Sequence, residues 1–524
     1  MDLKKNDIIE ISITDISEDG LGIGRYFGFA LFVKDALPKD RVRAVITKIN
    51  SSYGFARALE ILESSPERVA PPCPLAKKCG GCQLMELAYS QQLKLKEERV
   101  ANALLRIGEA EMNAVGFEPI CAMVPEDFYG TFVSPEAVPL RHSENTLFRQ
   151  KTSGAPLFAE NAEFCPLHYR NKVQLPAGEN RNKEPVFGFY AGRTHHIIET
   201  SSCPAAFDGA DKILEAVRKF TQENNISVYN EKTNTGLLRH VLMRKGFRTG
   251  QIMVCLVINA AGLYAKKGSA DGACQRQKNT AAKAGESRKL NEKLIQALTG
   301  TGLNITSLCL NINRRSTNVI MGDETFSIYG KDYIEDKIFG LTFKISAQSF
   351  FQVNSIQAEK LYAKALEYAS LTGAETVWDL YCGTGTISLF LAQKAKKVYG
   401  VEIVPAAIEN ARDNAALNNI ENAEFFCGRS EEVFPEFYRN EKSRPDVVVL
   451  DPPRKGCGRA LLDAILTVMP RRIVYISCNP ATLARDTGIL SEKYSLKKVM
   501  PCDMFPHTCH CEAAALLTAE KEET

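Results

Sequence analysis

The chain has 524 residues, 45% of them hydrophobic and 24% charged, too many for one hydrophobic core and too apolar for a disordered chain, so two to four folded domains are expected. The net charge of +3 neither demands nor excludes a polyanionic partner, so any case for RNA must come from motifs. The 16 cysteines are read as thiols or metal ligands, not as a disulfide framework, because nothing in the sequence reads as a secretory or membrane segment.

In chain order, Met1 to Glu10 alternates charged with apolar residues and lacks the apolar run of a signal peptide. The longest uncharged stretch, near Ile252 to Tyr264, is broken by Asn259 and Gly262 and is too short to span a bilayer. A cytoplasmic protein with no membrane partner is predicted. Ile9, Ile11 and Ile13 share one strand face, a glycine-rich turn from Gly20 to Gly28 follows, and Val42, Ala44 and Ile46 alternate again. This predicts a small antiparallel barrel over residues 1–62. Ser64 to Pro74 is proline-rich and reads as a linker.

Residues 63–339 are expected to form a central α+β domain. It begins with a cysteine cluster and a helix over Tyr89 to Leu105. Strands are expected around Tyr169 to Leu175, Val186 to Tyr190, Arg239 to Arg244, Ile252 to Ile258 and Ser307 to Asn313. Residues 124–163 lack periodicity, and 265–289 are basic and poor in apolar residues, so both are read as flexible insertions. From about residue 340 a helix begins after Asn354, and short apolar runs then alternate with helical stretches: Val377 to Leu380, Val398 to Glu402, Val447 to Asp451 and Ile473 to Ser477. That predicts a doubly wound parallel sheet, a Rossmann-like α/β domain over 340–524, with ligands at the carboxyl ends of its strands.

Four motifs carry chemistry. Asp379-Leu380-Tyr381-Cys382-Gly383-Thr384-Gly385-Thr386 lies between a strand and a helix, and Gly383 and Gly385 allow a ligand close to the backbone. Glu402 ends the next strand, where a carboxylate can accept both hydroxyls of a ribose. The third glycine of a dinucleotide fingerprint and the Lys-Ser/Thr of a phosphate loop are missing, which favours S-adenosylmethionine. Asp451-Pro452-Pro453-Arg454 ends a buried strand and places Asp451 at the same sheet end. Cys478 follows a strand and precedes a helix capped by Asn479 with Pro480 first; there the macrodipole is expected to depress its pKa, as suits a nucleophile. Cys73-x5-Cys79-Gly80-Gly81-Cys82 supplies three converging thiols, and an even sulfur set for zinc or iron–sulfur needs a fourth, for which Cys165 and Cys203 are both within reach. The spacing is not that of radical enzymes.

These residues, with Gln348-Ser349-Phe350-Phe351-Gln352-Val353-Asn354 and Met504-Phe505-Pro506-His507-Thr508, closely resemble the RNA (uracil-5)-methyltransferases. The first 62 residues are similar to that family's TRAM domain, and the cysteine cluster is similar to that of its 23S rRNA branch. The resemblance implies Cys478 as nucleophile, Glu512 as general base, and Gln352, Tyr381, Thr386, Glu402 and Asp451 as S-adenosylmethionine contacts. It also implies a 4Fe-4S cluster on Cys73, Cys79, Cys82 and Cys203, with zinc as the alternative metal. The expected enzyme is a monomer acting on 23S rRNA, with a tRNA T-loop uridine as the alternative. A non-catalytic RNA-binding protein is disfavoured by the presence of both Cys478 and Glu512, and a redox iron–sulfur enzyme by the cysteine spacing. Arg429 departs from the family, which often has Asp or Asn near the adenine, and so do Cys509 and Cys511 beside Glu512.

Overall fold

The computed structural model describes residues 3–128, 164–192, 194–263, 281–441 and 445–520. The first strands are β1 (Ile8–Ile16), β2 (Gly22–Tyr26), β3 (Phe29–Lys34), β4 (Arg41–Ile49) and β5 (Tyr53–Glu63), closed into a barrel in the order β1-β2-β3-β5-β4. Period-two alternation turns Ile9, Ile11, Ile13, Val42, Ala44 and Ile46 into one buried interior. The barrel is not wholly antiparallel as expected, because β3 and β5 pair in parallel. The chain that leaves β3 turns back through β4 before closing the circle. Buried Asp40 accepts hydrogen bonds from the Leu37 and Ser65 amides at 2.7 and 2.8 Å and pairs with Arg68, fastening the barrel to the segment that follows.

That segment leads into helix α1 (Tyr89–Arg106) and the two-residue strand β6 (Gly116–Phe117). The inner face of α1 buries Tyr89, Gln92, Lys96, Val100 and Leu104, a helical repeat with three polar members. Val100 and Leu104 pack into the core of the C-terminal sheet, not into the central sheet.

The central sheet is formed by β7 (Lys172–Glu179), β8 (Pro185–Tyr190), β9 (Ile197–Glu199), β10 (Leu238–Lys245), β11 (Ile252–Ile258), β12 (Ile305–Ile312) and β13 (Glu324–Gly330), in the order β13-β12-β11-β10-β7-β8-β9. Helices α2 (Ala210–Glu223) and α3 (Ala281–Thr299) cover one face. The hairpin β14 (Tyr333–Ile338) and β15 (Leu341–Ser346) covers the other together with the C-terminal core. Coverage on both sides explains why every residue of β11 is buried. Of the two expected insertions, 124–163 falls largely, and 265–289 partly, outside the described residues. Residues 281–289 belong to α3, against the expectation of a flexible segment, because Leu290, Leu294 and Leu298 dock that helix on the sheet.

The C-terminal elements are α4 (Ser355–Ala369), β16 (Thr376–Asp379), α5 (Thr386–Ala392), β17 (Lys397–Glu402), α6 (Pro405–Leu417), β18 (Ala423–Cys427), α7 (Ser430–Glu441), β19 (Val447–Leu450), α8 (Arg459–Val468), β20 (Arg472–Ser477), α9 (Pro480–Leu490), β21 (Tyr494–Cys502) and β22 (Glu512–Ala519). The sheet runs β18-β17-β16-β19-β20-β22-β21-β6. It is mixed, not purely parallel as expected: β22 lies antiparallel between β20 and β21. This insertion has a functional result. It brings the first residue of the last strand to the same sheet end as the residues following β16, β19 and β20.

Candidate active site

Strand β16 delivers Asp379, fully buried, whose Oδ2 accepts from Ser388 Oγ at 2.7 Å. Its Oδ1 is buried with no hydrogen-bond partner, and burial pushes its pKa up to about 6. In the turn that follows, Gly383 and Gly385 have φ of +53° and +81°. A Cβ on Gly385 would stand 3.0 Å from that of Ala411, so this turn needs glycine for both conformation and space. Glu402, at the end of the adjacent β17, accepts from the Val404 amide at 2.9 Å. Apolar Ile403 beside it is 60% exposed. Tyr381 is half-buried, its hydroxyl donating to the Cys457 thiol in the loop after Asp451, and Thr386 opens α5.

The neighbouring strand ends hold the second half of the site. Asp451 follows β19, Cys478 follows β20, and Glu512 begins β22. The antiparallel register pairs Ser477 with Ala513, so Cys478 and Glu512 are the next residues on facing strands. Neither Asp451 nor Glu512 has a side-chain hydrogen-bond partner among the described residues. Burial, reinforced by their mutual repulsion and by Asp379, raises Asp451 to about 7 and Glu512 to about 8. The expectation that the helix N-terminus depresses the Cys478 pKa is corrected. Burial and the charges of Glu512 and Asp451 raise it, against a smaller downward pull from Arg454. The dipole of one helix end is outweighed by two carboxylates in a poorly solvated pocket.

Two further residues complete this wall. Gln352, buried just before α4, hydrogen-bonds the buried Tyr362 hydroxyl, which also faces Asp451 and Glu512. The Gln352 carbonyl accepts from Asn171 Nδ2 at 2.9 Å, tying the pocket to the central sheet.

The loops are braced from behind. Asp486 accepts from the Cys457 amide at 2.8 Å and the Tyr475 hydroxyl at 2.6 Å. Arg485 donates to the carbonyls of Lys455 and Cys457 at 3.1 and 3.2 Å. Together they pin the loop after Asp451 to α9. The loop from Asp503 to Cys511, which enters Glu512, is held by one face of α1. Gln92 accepts from the His507 amide at 2.9 Å, Lys96 donates to Asp503 and to the Phe505 carbonyl at 2.9 Å, and Arg99 bridges the Cys509 carbonyl and the Ser17 carbonyl of the barrel.

The four cysteines expected as ligands are neighbours drawn from two segments, residues 73–82 and Cys203. Cys79, Cys82 and Cys203 are each raised by burial, and Cys73 and Cys203 push up the pKa of both Cys79 and Cys82. Cys165 lies elsewhere, 3.7 Å from His507 Nε2. Gly80 donates to the Tyr190 carbonyl at 3.1 Å, and a Cβ on it would stand 2.9 Å from the Gly192 Cα, so the glycine pair lets the cysteine loop lie against the central sheet. Among the described residues no group of three or more His, Cys, Asp or Glu is placed to hold a metal ion.

A family profile described as tRNA (uracil-5-)-methyltransferase matches residues 287–520, and one for the TRAM domain matches residues 3–59. An uncharacterized RNA methyltransferase of Clostridium acetobutylicum is 43% identical over 98% of both chains, and one of Halalkalibacterium halodurans 41% identical over 98% of both. The chain belongs to the RNA (uracil-5)-methyltransferase family. Among solved structures, the Pyrococcus abyssi tRNA (uracil-54, C5)-methyltransferase in complex with S-adenosyl-L-homocysteine matches with a TM-score of 0.67 at 26% identity, covering 97% of this chain and 99% of that one.

In this methyltransferase the residues that depart from the family pattern have local partners. Arg429 is exposed and pairs with Glu431 at 3.2 Å and Glu432 at 4.0 Å. Cys509 and Cys511 are buried and pack as small apolar groups. Tyr362 and the polar face of α1 escaped the sequence reading. The signal for the second was present in Gln92, Lys96 and Arg99, spaced to share one helix face with Val100.

Proposed function

We propose that the enzyme transfers a methyl group from S-adenosylmethionine to C5 of a uridine in 23S rRNA, as a cytoplasmic monomer. The observation that carries this reading is the convergence of Cys478 with three carboxyl groups, Asp379, Asp451 and Glu512, that repel one another and lack a cation. A sulfonium ion supplies the missing charge. Glu402 suits the ribose hydroxyls, exposed Ile403 offers apolar surface to the adenine, and the turn of Gly383 and Gly385 lets the ligand meet the backbone.

Uracil C5 is a weak nucleophile, so the Cys478 thiolate first adds to C6, and C5 gains the electron density to take the methyl group. Glu512 then takes the C5 proton, the C5–C6 double bond re-forms and the Cys478 sulfur leaves. A carboxyl group with a pKa near 8 in the free site is a stronger base than an ordinary glutamate once ionised. The base must be flipped out of its stack to reach Cys478, which favours loop uridines.

Cys73, Cys79, Cys82 and Cys203 are the thiols that would hold a 4Fe-4S cluster, since thiolates are its usual ligands and these four lie near enough to influence one another's pKa. The cluster would clip the post-barrel segment to the central sheet, with no step in methyl transfer.

A tRNA uridine is the second reading. The Pyrococcus abyssi tRNA enzyme aligns over nearly the whole chain, so the barrel and central domain do not by themselves exclude tRNA. Mapping 5-methyluridine by mass spectrometry in 23S rRNA and tRNA from cells with and without the gene decides. Loss of one rRNA site supports the first reading and loss from tRNA the second, and unchanged maps of both refute the function.

A further inference from the structure

Strand β6 and the chain after it run parallel to β21, and the pairing slips by one residue on the way. Phe117 pairs with Val499, so an unbroken register would set Ile120 opposite Cys502. Instead Cys121 stands there, its amide donating to the Pro501 carbonyl at 2.8 Å and its carbonyl accepting from the Asp503 amide at 3.0 Å. An extra residue of this kind re-aims a side chain. It turns Ile120 to the core on one side of the sheet and Cys121 to the core on the other, where Cys502 lies. Gln357 of α4 holds the two chains together, its Nε2 donating to the carbonyls of Cys121 at 2.9 Å and Asp503 at 3.1 Å.

Both cysteines are reduced, and the Cys502 thiol donates to the Cys121 sulfur. Directly opposed residues on neighbouring strands lie about 4.8 Å apart, inside the roughly 4.4–6.8 Å between Cα atoms that a disulfide spans. The pair is asymmetric. Cys502 is fully buried, whereas Cys121 is half-buried. The Cys121 pKa is lowered by the hydrogen bond from Cys502 and by the Lys360 ammonium, against burial and the charges of Asp127 and Asp503. Cys121 is therefore the thiol that ionises and reacts first. Cys255 and Cys309 are opposed in the same way on β11 and β12, but both are sealed in the core, and Cys309 has the Ser307 hydroxyl as its partner. Cys502 also has a second neighbour. Its partner on β22 is Glu512, and Glu512 in turn faces Cys478, so Cys121, Cys502, Glu512 and Cys478 form one row across the sheet.

We propose that Cys121 and Cys502 form a reversible disulfide under peroxide, and that this bond slows turnover by drawing the end of β21 away from Glu512. The Cys121 thiolate attacks one peroxide oxygen, the O–O bond breaks, and a sulfenic acid forms while the departing hydroxide takes up the proton lost by Cys121. The Cys502 sulfur then attacks the sulfenic sulfur, the S–O bond breaks, and the Cys502 proton leaves with that oxygen as a second water. Two thiols are oxidised and one peroxide is reduced to two waters. Bonded sulfurs stand closer than hydrogen-bonded ones, so Cys502 moves toward Cys121 and Glu512 loses the neighbour that backs it. The effect on turnover rests on the reading of Glu512 as the base, whereas formation of the disulfide does not.

The test treats anaerobically purified full-length enzyme, its metal content measured, with a few equivalents of hydrogen peroxide, then alkylates it and digests it without reduction. Mass spectrometry should find the Cys121 peptide joined to the Cys502 peptide, with Cys255 and Cys309 still alkylated as thiols. Turnover should fall about tenfold or more, since a misplacement on the order of 1 Å near the reacting atoms costs about a hundredfold. Covalent enzyme–RNA adduct should accumulate at the same time, and dithiothreitol should restore turnover. Cys121→Ser and Cys121→Ala should both turn over RNA like the reduced wild type and keep doing so after peroxide. Absence of the Cys121–Cys502 link while other thiols oxidise would overturn the site. A link without loss of turnover, or an equal loss in the wild type and the Cys121 variants, would overturn the control of Glu512. Peptide mapping does not depend on turnover, so a chain that never methylates RNA yet forms the link refutes the proposed function and leaves the disulfide standing.

Discussion

Lys96 and Asp503 form an ion pair sealed from solvent, their side chains 1% and 0% exposed although they lie 407 residues apart in the chain. The Tyr89 hydroxyl donates to the same carboxylate at 2.7 Å. Asp503 opens the loop that ends at Glu512, so the pair anchors the proposed base to a helix made early in the chain. Lys96→Met leaves the carboxylate buried and unpaired and should destabilise by about 3–5 kcal/mol, read by urea denaturation. Lys96→Met/Asp503→Asn should regain most of that stability yet accumulate covalent enzyme–RNA adduct, because a loosened Glu512 slows only the last step. A double variant that turns over like wild type would assign the pair to the fold alone.

Cys478→Ala should abolish methyl transfer while S-adenosylmethionine still binds within a few-fold, as measured by calorimetry, since the cofactor residues lie on other strands. Glu512→Gln should form an adduct that survives denaturing electrophoresis and disappears when Cys478 is also replaced. Loss of activity without an adduct would place Glu512 before the addition step.

The carboxyl cluster gives ligand binding a signed dependence on pH. Asp379, Asp451 and Glu512 are raised to about 6, 7 and 8, so raising pH from 6 to 9 ionises them and favours a cationic ligand. S-adenosylmethionine should therefore bind more tightly across that range and release protons on binding, whereas neutral-sulfur S-adenosylhomocysteine should change much less. Calorimetry in two buffers of different ionisation enthalpy reads both effects. The same linkage acts on stability. Glu512 has an ordinary pKa of 4.5 and a folded value of about 8, so the wild type loses stability as pH rises from 4.5 to 8. Glu512→Gln should be the more stable protein above pH 8, by on the order of 5 kcal/mol, and should show no such gain at pH 4.

Anaerobic purification followed by iron, sulfide and zinc analysis checks the metal. Cys203→Ser should lose the iron and Cys165→Ser should keep it. Zinc without sulfide would refute the cluster, and the reverse pattern of losses would refute Cys203 as ligand.

Much of this was legible in local sequence because the relevant forces are local. Alternating isoleucines make a barrel wall, Asp451-Pro452-Pro453 ends a strand, and Gly383 and Gly385 adopt a backbone only glycine adopts readily. What escaped depends on partners far away. Gln92, Lys96 and Arg99 look like the wet side of an amphipathic helix until the loop after Asp503 covers them. Tyr362 is one more buried aromatic until β22 brings Glu512 beside it. The Cys478 pKa depends on distant partners in the same way: the helix end is a local feature, whereas burial and the carboxyl groups at the ends of β19 and β22 raise it. The antiparallel placement of β22 has no signature in its own residues, a run of alanine and leucine that suits either direction.

The position of β22 also dictates when the sheet is completed during synthesis. Strand β6 is made early but pairs in the sheet with β21, and β21 is joined to the rest of the sheet through β22. At roughly 5–20 residues per second, the ribosome needs roughly 20–80 s to travel from β6 to β22. Through nearly all of that interval α1 carries Lys96 without its counter-ion, because Asp503 has yet to be made. Glu512 is the first residue of β22, so the step that closes the sheet is also the step that brings the proposed base to Cys478.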